Sequence, residues 1–167
     1  MTVSADTVKK LRDLTGVGML DCKKALEETG GDLEKAKEIL RQRGVAIAAK
    51  KAVQETRQGL VEAYIHPDGR LGALVELNCQ TDFVARTDDF RTLAHELAMQ
   101  VAATDPQHIG PDELPEDSDG NPEELCLLAQ SSIRDPSRTV QDLINEIIAK
   151  TGENIRVRRF ARFHLGR

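Results

Sequence analysis

The spacing of apolar positions divides this chain into helical and extended stretches. Val8, Leu11 and Leu14 recur at three-residue intervals, with Ser4 placed to cap a helix and Gly16 to end it. Cys22, Ala25, Leu26 and Thr29 form the face of a second helix, entered through Met19 and Leu20 and broken by Gly30-Gly31. Asp32 caps a third, whose face is Leu33, Ala36, Ile39 and Leu40 and which is expected to stop at Gly44. Three short helices within about 45 residues enclose only a small core, so residues 1–45 read as a three-helix N-terminal module. Ala46 to Glu55 is rich in Ala and Lys, good helix formers with almost no large apolar side chain, and reads as a connector helix over 46–57.

From Gly59 the period drops to two. Val61, Ala63 and Ile65 alternate with Glu62, Tyr64 and His66, and Pro67-Asp68-Gly69 supplies a turn. Leu71, Ala73, Val75 and Leu77 then alternate with Gly72, Leu74, Glu76 and Asn78, the pattern of a strand with one buried face. Phe90, Leu93, Ala94, Leu97, Ala98 and Val101 return to helical spacing, with Thr87, Asp88 and Asp89 all able to cap the start. Between Asp105 and Glu124 the pattern disappears. Four of the six prolines and eight acidic residues lie there with no Lys or Arg, which reads as an exposed, poorly ordered connection. Leu125 to Ile133 is apolar but short enough for either helix or strand. Val140, Leu143, Ile144, Ile147 and Ile148 make one face of a helix preceded by Ser137 and Thr139 and closed by Gly152. In the last stretch Ile155, Val157, Ala161, Phe163 and Leu165 share one face, interrupted by Arg159, and Arg156, Arg158, Phe160, Arg162 and His164 share the other. Residues 58–167 are therefore expected to form an α+β core, a three-stranded antiparallel sheet packed against helices.

Composition narrows the classes of function. Apolar residues make up 40% of the chain, but with four Phe, one Tyr and no Trp the core is aliphatic. A net charge of −5 argues against a general nucleic-acid binder, which is normally basic. Cys22, Cys79 and Cys126 are odd in number and widely spaced, so neither a disulfide framework nor a zinc site is indicated. His66, His95, His108 and His164 share no ligand spacing, and no metal or other cofactor is expected. No apolar run approaches the eighteen or so residues of a membrane span. The start, Met1 to Leu11, has no signal or transit character, and a reducing cytoplasm is the expected compartment.

Candidate chemistry is sparse. Cys79, His66 and Asp82 can be drawn as nucleophile, base and orienting acid. Cys79 sits at a strand end, however, where a free cysteine is most often a small buried hydrophobe, and no enzyme is expected. Gly16-Val17-Gly18 is a helix–helix turn, not a strand-to-helix phosphate loop with a following Lys. Arg156, Arg158 and Arg162 with Phe160 make a small basic patch. Arg and Phe are favoured at the centres of protein interfaces, so a protein-binding face outweighs direct nucleic-acid binding. Thr81-Asp82-Phe83 joins a strand to a helix, where a polar segment belongs at the surface. A Phe in such a place either tucks under as a local core residue or is held out for a partner.

The run Cys79-Gln80-Thr81-Asp82-Phe83-Val84-Ala85-Arg86 resembles the Thr-Asp-Phe motif of the elongation factor Ts family. Leu14 to Leu26 is similar to the signature of that family's ubiquitin-associated-like N-terminal module, and Gly152-Glu153-Asn154-Ile155-Arg156-Val157-Arg158-Arg159 to its closing motif. The resemblance implies a guanine-nucleotide exchange factor for the translational GTPase elongation factor Tu. By that resemblance Thr81, Asp82, Phe83 and Val84 disturb the magnesium and GDP site of the partner, with Phe83 as a wedge. The resemblance also implies that Val17, Gly18, Met19, Leu20 and Lys23 of the module contact a helix of the GTPase domain. Longer members carry a second copy of the core and an additional helical hairpin. Nothing here repeats the strand–loop–helix pattern, so the chain looks like the short, single-core form, in which a two-fold homodimer can supply the missing half. The rival reading is a translation-associated adaptor or RNA-binding protein that kept the fold without exchange activity, since fold does not give function.

Overall fold

The computed structural model describes residues 3–116 and 119–167; residues 117 and 118, inside the acidic stretch, lie outside the description. Helix α1 (Ala5–Thr15) starts where the Ser4 hydroxyl accepts the Thr7 N–H at 3.2 Å and ends at Gly16 in the left-handed region. Helix α2 (Met19–Glu28) follows after a short turn, and α3 (Leu33–Lys51) begins at Asp32, whose carboxylate accepts the Lys35 N–H. Val8, Leu11, Cys22, Ala25, Leu26, Ala36 and Leu40 close a small separate core among these three helices.

The helix expected to stop at Gly44 does not stop. α3 runs 19 residues to Lys51, so the third helix and most of the connector are one rod. A glycine inside a helix costs about 1 kcal/mol relative to Ala. Gly44 faces the helix Val140–Thr151 (α7), and a Cβ here would lie 3.3 Å from the Ala149 Cβ. Close packing of two helices offsets the propensity cost, and Arg41 bridges to Asp142 at 3.2 Å across the same interface.

Strands β1 (Gln58–Ile65), β2 (Leu71–Cys79) and β3 (Arg156–His164) form an antiparallel sheet in the order β1-β2-β3. Gly59 is required where β1 begins, because its φ is +147° and a Cβ would come within 2.1 Å of the Leu77 carbonyl oxygen. One face of the sheet is covered by helix α5 (Asp88–Thr104), with α7 packed against α5. Ala73, Val75 and Leu77 of β2 meet Phe90, Leu93, Leu97 and Val101 of α5 and Ile144 and Ile148 of α7 in the main core. Thr87 caps α5, and Thr139 with Asp142 makes a reciprocal capping box on α7, which Gly152 closes.

Two strand faces differ from the alternation read in the sequence. In β3, Leu77 pairs with Val157 but Glu76 pairs with Arg159, leaving Arg158 as a bulge. One extra residue reverses the alternation. Val157 is buried as expected, but beyond the bulge Phe160, Arg162 and His164 turn toward the helices, and Ala161, Phe163 and Leu165 turn outward. Arg162 donates from Nε to the Ala102 carbonyl and pairs with Asp105, and Phe160 packs against the core. The basic patch of Arg156, Arg158, Arg162 and Phe160 is therefore taken apart. In β1 the apolar set also points outward, because Val61, Ala63 and Ile65 pair across with Glu76, Leu74 and Gly72 on the uncovered side of β2. Val61, Ile65, Phe163 and Leu165 are each 63–67% exposed, an apolar sheet face open to solvent.

The acidic connection is more ordered than its composition implied. The Gln107 and His108 N–H groups donate to the Leu125 carbonyl, and Leu127 and Leu128 donate back to His108 and Ile109. Pro122–Leu125 forms a single helical turn (α6) and Leu127–Ala129 a 3-10 turn, so Leu125 to Ile133 is neither a regular helix nor a strand. Gln100 of α5 anchors this segment by donating to Ser131 O and accepting from the Ile133 N–H. Backbone groups taken out of water must be paired, and here segments distant in sequence pair them. No helix among the described residues is long and apolar enough to cross a membrane.

Candidate functional site

The strand-to-helix connection contains a helix of its own, the single turn α4 (Asp82–Ala85). Thr81 caps it, its hydroxyl oxygen accepting the Val84 N–H at 3.4 Å. Val84 and Ala85 are buried against the core and pin the inner side of the turn. The Thr87 hydroxyl donates to Val84 O at 2.8 Å and ties the end of the turn to the start of α5. Phe83 is left on the outer side, 79% exposed, whereas Phe90 seven residues on is fully buried. Of the two placements the sequence left open for Phe83, the ring does not tuck under as a local core residue, because it occupies the outer side of α4. Asp82 pairs with Arg86 at 2.9 Å, an exposed pair that contributes little to stability.

Two supports hold this turn from beneath. The Cys79 thiol donates to Thr81 O at 3.1 Å. Burial, reinforced by the negative charge of Glu153, pushes that thiol up to about 11, so it stays neutral and non-nucleophilic near neutral pH. Cys79 pairs with Gln58 while His66 lies beyond Ile65 at the opposite end of the hairpin, so Cys79, His66 and Asp82 are not brought together. The second support comes from the turn after α7. Glu153 Oε2 accepts the N–H of Gln80 at 3.2 Å and of Thr81 at 3.0 Å, and its Oε1 accepts the Thr81 hydroxyl at 2.7 Å. Next to it, the buried Asn154 donates its N–H to Gln80 Oε1 at 2.7 Å and its amide to Gln54 O at 2.7 Å, just past the end of α3.

The module presents a second surface. Gly18, Met19 and Leu20 are exposed at the start of α2, Leu20 at 73%, while Val17 is half-buried against the small core. Lys23 is exposed and 3.8 Å from Glu27. Lys150 of α7 lies between this surface and the core loop. Its Nζ reaches Asp89 at the start of α5 at 3.9 Å, and a Cβ at Gly16 would fall within 2.3 Å of its Cε. The α1–α2 turn and the start of α5 therefore flank one lysine side chain. An open cleft of about 490 Å³ separates module and core, lined by Val17, Lys37, Arg41, Arg138 and Glu146 among others. Among the described residues no group of three or more His, Cys, Asp or Glu side chains is placed to hold a metal ion. Glu153, Asn154 and Lys150 were not singled out from the sequence as site residues. The partners of Glu153 and Asn154 lie far away in the chain, and Lys150 reaches Asp89 across the fold besides pairing with Glu146 on its own helix; no periodicity marks any of the three.

The site presents an exposed aromatic on a doubly supported turn and a second exposed apolar patch, surfaces of the kind that mark contact with another macromolecule. The sequence profile described as Elongation factor TS matches residues 9–124 and 80–167. Elongation factor Ts of Thermotoga neapolitana is 48% identical, covering 99% of this chain and 98% of its own length. That of Coprothermobacter proteolyticus is also 48% identical, over 99% and 100% of the two chains. That of Moorella thermoacetica is 49% identical, over 98% and 96%. The chain belongs to the elongation factor Ts family, in its short, single-core form.

Proposed function

We propose that this protein promotes release of GDP from elongation factor Tu, with Phe83 as the wedge. A GTPase holds its nucleotide through a phosphate-cradling loop and a magnesium ion bridging phosphate oxygens. Magnesium demands near-octahedral geometry at short distance, so a small displacement of the segments that carry its ligands loses it. Ejecting nucleotide breaks no covalent bond. It requires a rigid group that fits the nucleotide-free shape of the partner and clashes with the loaded one. The observation that carries the reading is Phe83, held out into solvent on a turn whose inner residues are buried. Thr81 caps that turn, Val84 anchors it from beneath, and Asp82 offers the partner an acceptor beside the ring. Reciprocity follows from linkage: if the factor weakens nucleotide binding, nucleotide weakens binding of the factor by the same ratio. Labelled GDP should leave purified elongation factor Tu faster when this protein is added, and an unchanged release rate would end the proposal.

In this reading the module of residues 1–45 docks through Val17, Gly18, Met19, Leu20 and Lys23 and the core of 58–167 ejects, with 46–57, mostly the continuation of α3, joining them. Leu20→Glu is expected to raise the concentration for half-maximal release about tenfold, the scale of losing one buried Leu contact, and to leave the maximal rate unchanged. A lower maximal rate at saturation would instead place the module in the ejection step.

The exposed sheet face favours a second association, a two-fold pair of this chain through Val61, Ile65, Leu74, Phe163 and Leu165. Glu76 and Arg159 lie on the same face, 2.7 Å apart, and a two-fold partner presents the same two charges in reverse. Sedimentation over a wide concentration range is expected to show a dimer that Phe163→Asp converts to monomer. A monomer mass throughout for the unmodified chain would rule this out.

A further inference from the structure

We propose that Glu153 is a positioning residue for the exchange step, an inference that rests on the wedge reading of Phe83. Its carboxylate accepts three hydrogen bonds from two consecutive residues, Gln80 and Thr81, that immediately precede the turn carrying Phe83. Charge-assisted bonds of this kind are stronger than neutral ones. By receiving the Thr81 hydroxyl proton, Glu153 also leaves the oxygen of that hydroxyl facing the Val84 N–H, a long contact of 3.4 Å that caps α4. The core holds only the inner side of the turn, through Val84 and Ala85. The path of the chain into the turn, which sets where the Phe83 ring points, is held from the core by the Cys79 thiol on Thr81 O and from the other side by Glu153.

Asn154 extends the same device. It grips Gln80 with its backbone and the chain after α3 with its side-chain amide. The two adjacent residues thus fix the wedge to the segment that leads back to the N-terminal module. A wedge acts only if it cannot yield when pressed, and a surface turn held on one side alone would yield. Glu153 supplies the second side without entering the core, so its loss leaves the fold in place and loosens the turn.

The test uses the full-length chain and five proteins: unmodified, Glu153→Ala, Glu153→Gln, Phe83→Ala and the double variant Phe83→Ala/Glu153→Ala. Amide exchange reads the clamp itself. Glu153→Ala is expected to strip protection from Gln80 and Thr81 and leave the amides of β2 and α5 protected. Labelled-GDP release from elongation factor Tu reads the consequence. The maximal rate at saturating factor should fall about tenfold, the scale of losing charge-assisted hydrogen bonds, with partial rescue in Glu153→Gln, which keeps an acceptor. A merely structural role cannot produce the third expectation: in the Phe83→Ala background Glu153→Ala should cost nothing further. Retained protection at Gln80 and Thr81 overturns the clamp. Lost protection with an unchanged maximal rate, while Phe83→Ala is defective, overturns the positioning role. Equal losses in both backgrounds also overturn it, because Glu153 then acts other than through Phe83. If Phe83→Ala itself exchanges normally, the wedge reading fails and the positioning role fails with it, an outcome separate from the amide result.

Discussion

Phe83→Ala is expected to leave the melting temperature almost unchanged and to remove most of the GDP-release activity. The ring is 79% exposed and forms no part of the main core, so its truncation gives up little that folding had buried. Surface substitutions of this kind usually fall within about 0.5 kcal/mol of neutral. Burial of the same ring between helices of a partner contributes about 1.5–3 kcal/mol. If that energy is realised only in the complex that expels nucleotide, its loss lowers the release rate by about ten- to a hundredfold. Asp82→Ala should shift activity in the same direction by less, because its exposed pairing with Arg86 carries little energy. Thermal melts and GDP-release assays on the two variants are sufficient. A large drop in melting temperature with normal release per folded molecule would falsify the wedge.

Phe90→Ala should show the opposite signature. Phe90 is fully buried where the first turn of α5 meets the sheet, in one cluster with Val75, Leu77, Leu97 and Ile144. Replacing it by Ala leaves a cavity that this aliphatic core cannot fill, at a cost of about 3–5 kcal/mol. For a chain of this size, each kcal/mol lowers the melting temperature by about 2–4 °C, so the midpoint should fall by roughly ten degrees. Release measured well below that midpoint should remain near normal, because Phe83 sits on the outer side of a turn that Val84 and Thr87 still anchor. A shift of less than about two degrees would mean that the core closes around the gap far better than comparable cores do. The pair of variants separates two phenylalanines that lie seven positions apart and that composition treats alike.

Local signals in the sequence determined several of the element starts and stops. Ser4, Asp32, Thr87 and Thr139 all cap the helices they precede, and Gly16 and Gly152 end theirs, because a cap involves only residues within one turn of each other. The alternation of β2 was legible for a related reason. It is the central strand, its Ala73, Val75 and Leu77 are buried under the helices, and no bulge residue lies within it. The Thr81-Asp82-Phe83 turn could be placed at the surface from its polarity and from the strand and helix on either side. Tertiary structure alone decided the rest. Gly44 reads as a stop until α7 lies against it, and then it is the position that lets two helices approach. The apolar residues of β1, and those at the end of β3, share a face in the sequence pattern, but only cross-strand register and the Arg158 bulge decide that these faces meet solvent. The acidic connection reads as loose until Leu125, Leu127 and Leu128 pair with Gln107, His108 and Ile109. Glu153 meets Thr81 across 72 positions of chain. A residue's own neighbours in sequence fix its conformational preferences, but they carry no information about which distant group will share its hydrogen bonds, and in this protein those distant groups hold the turn that presents Phe83.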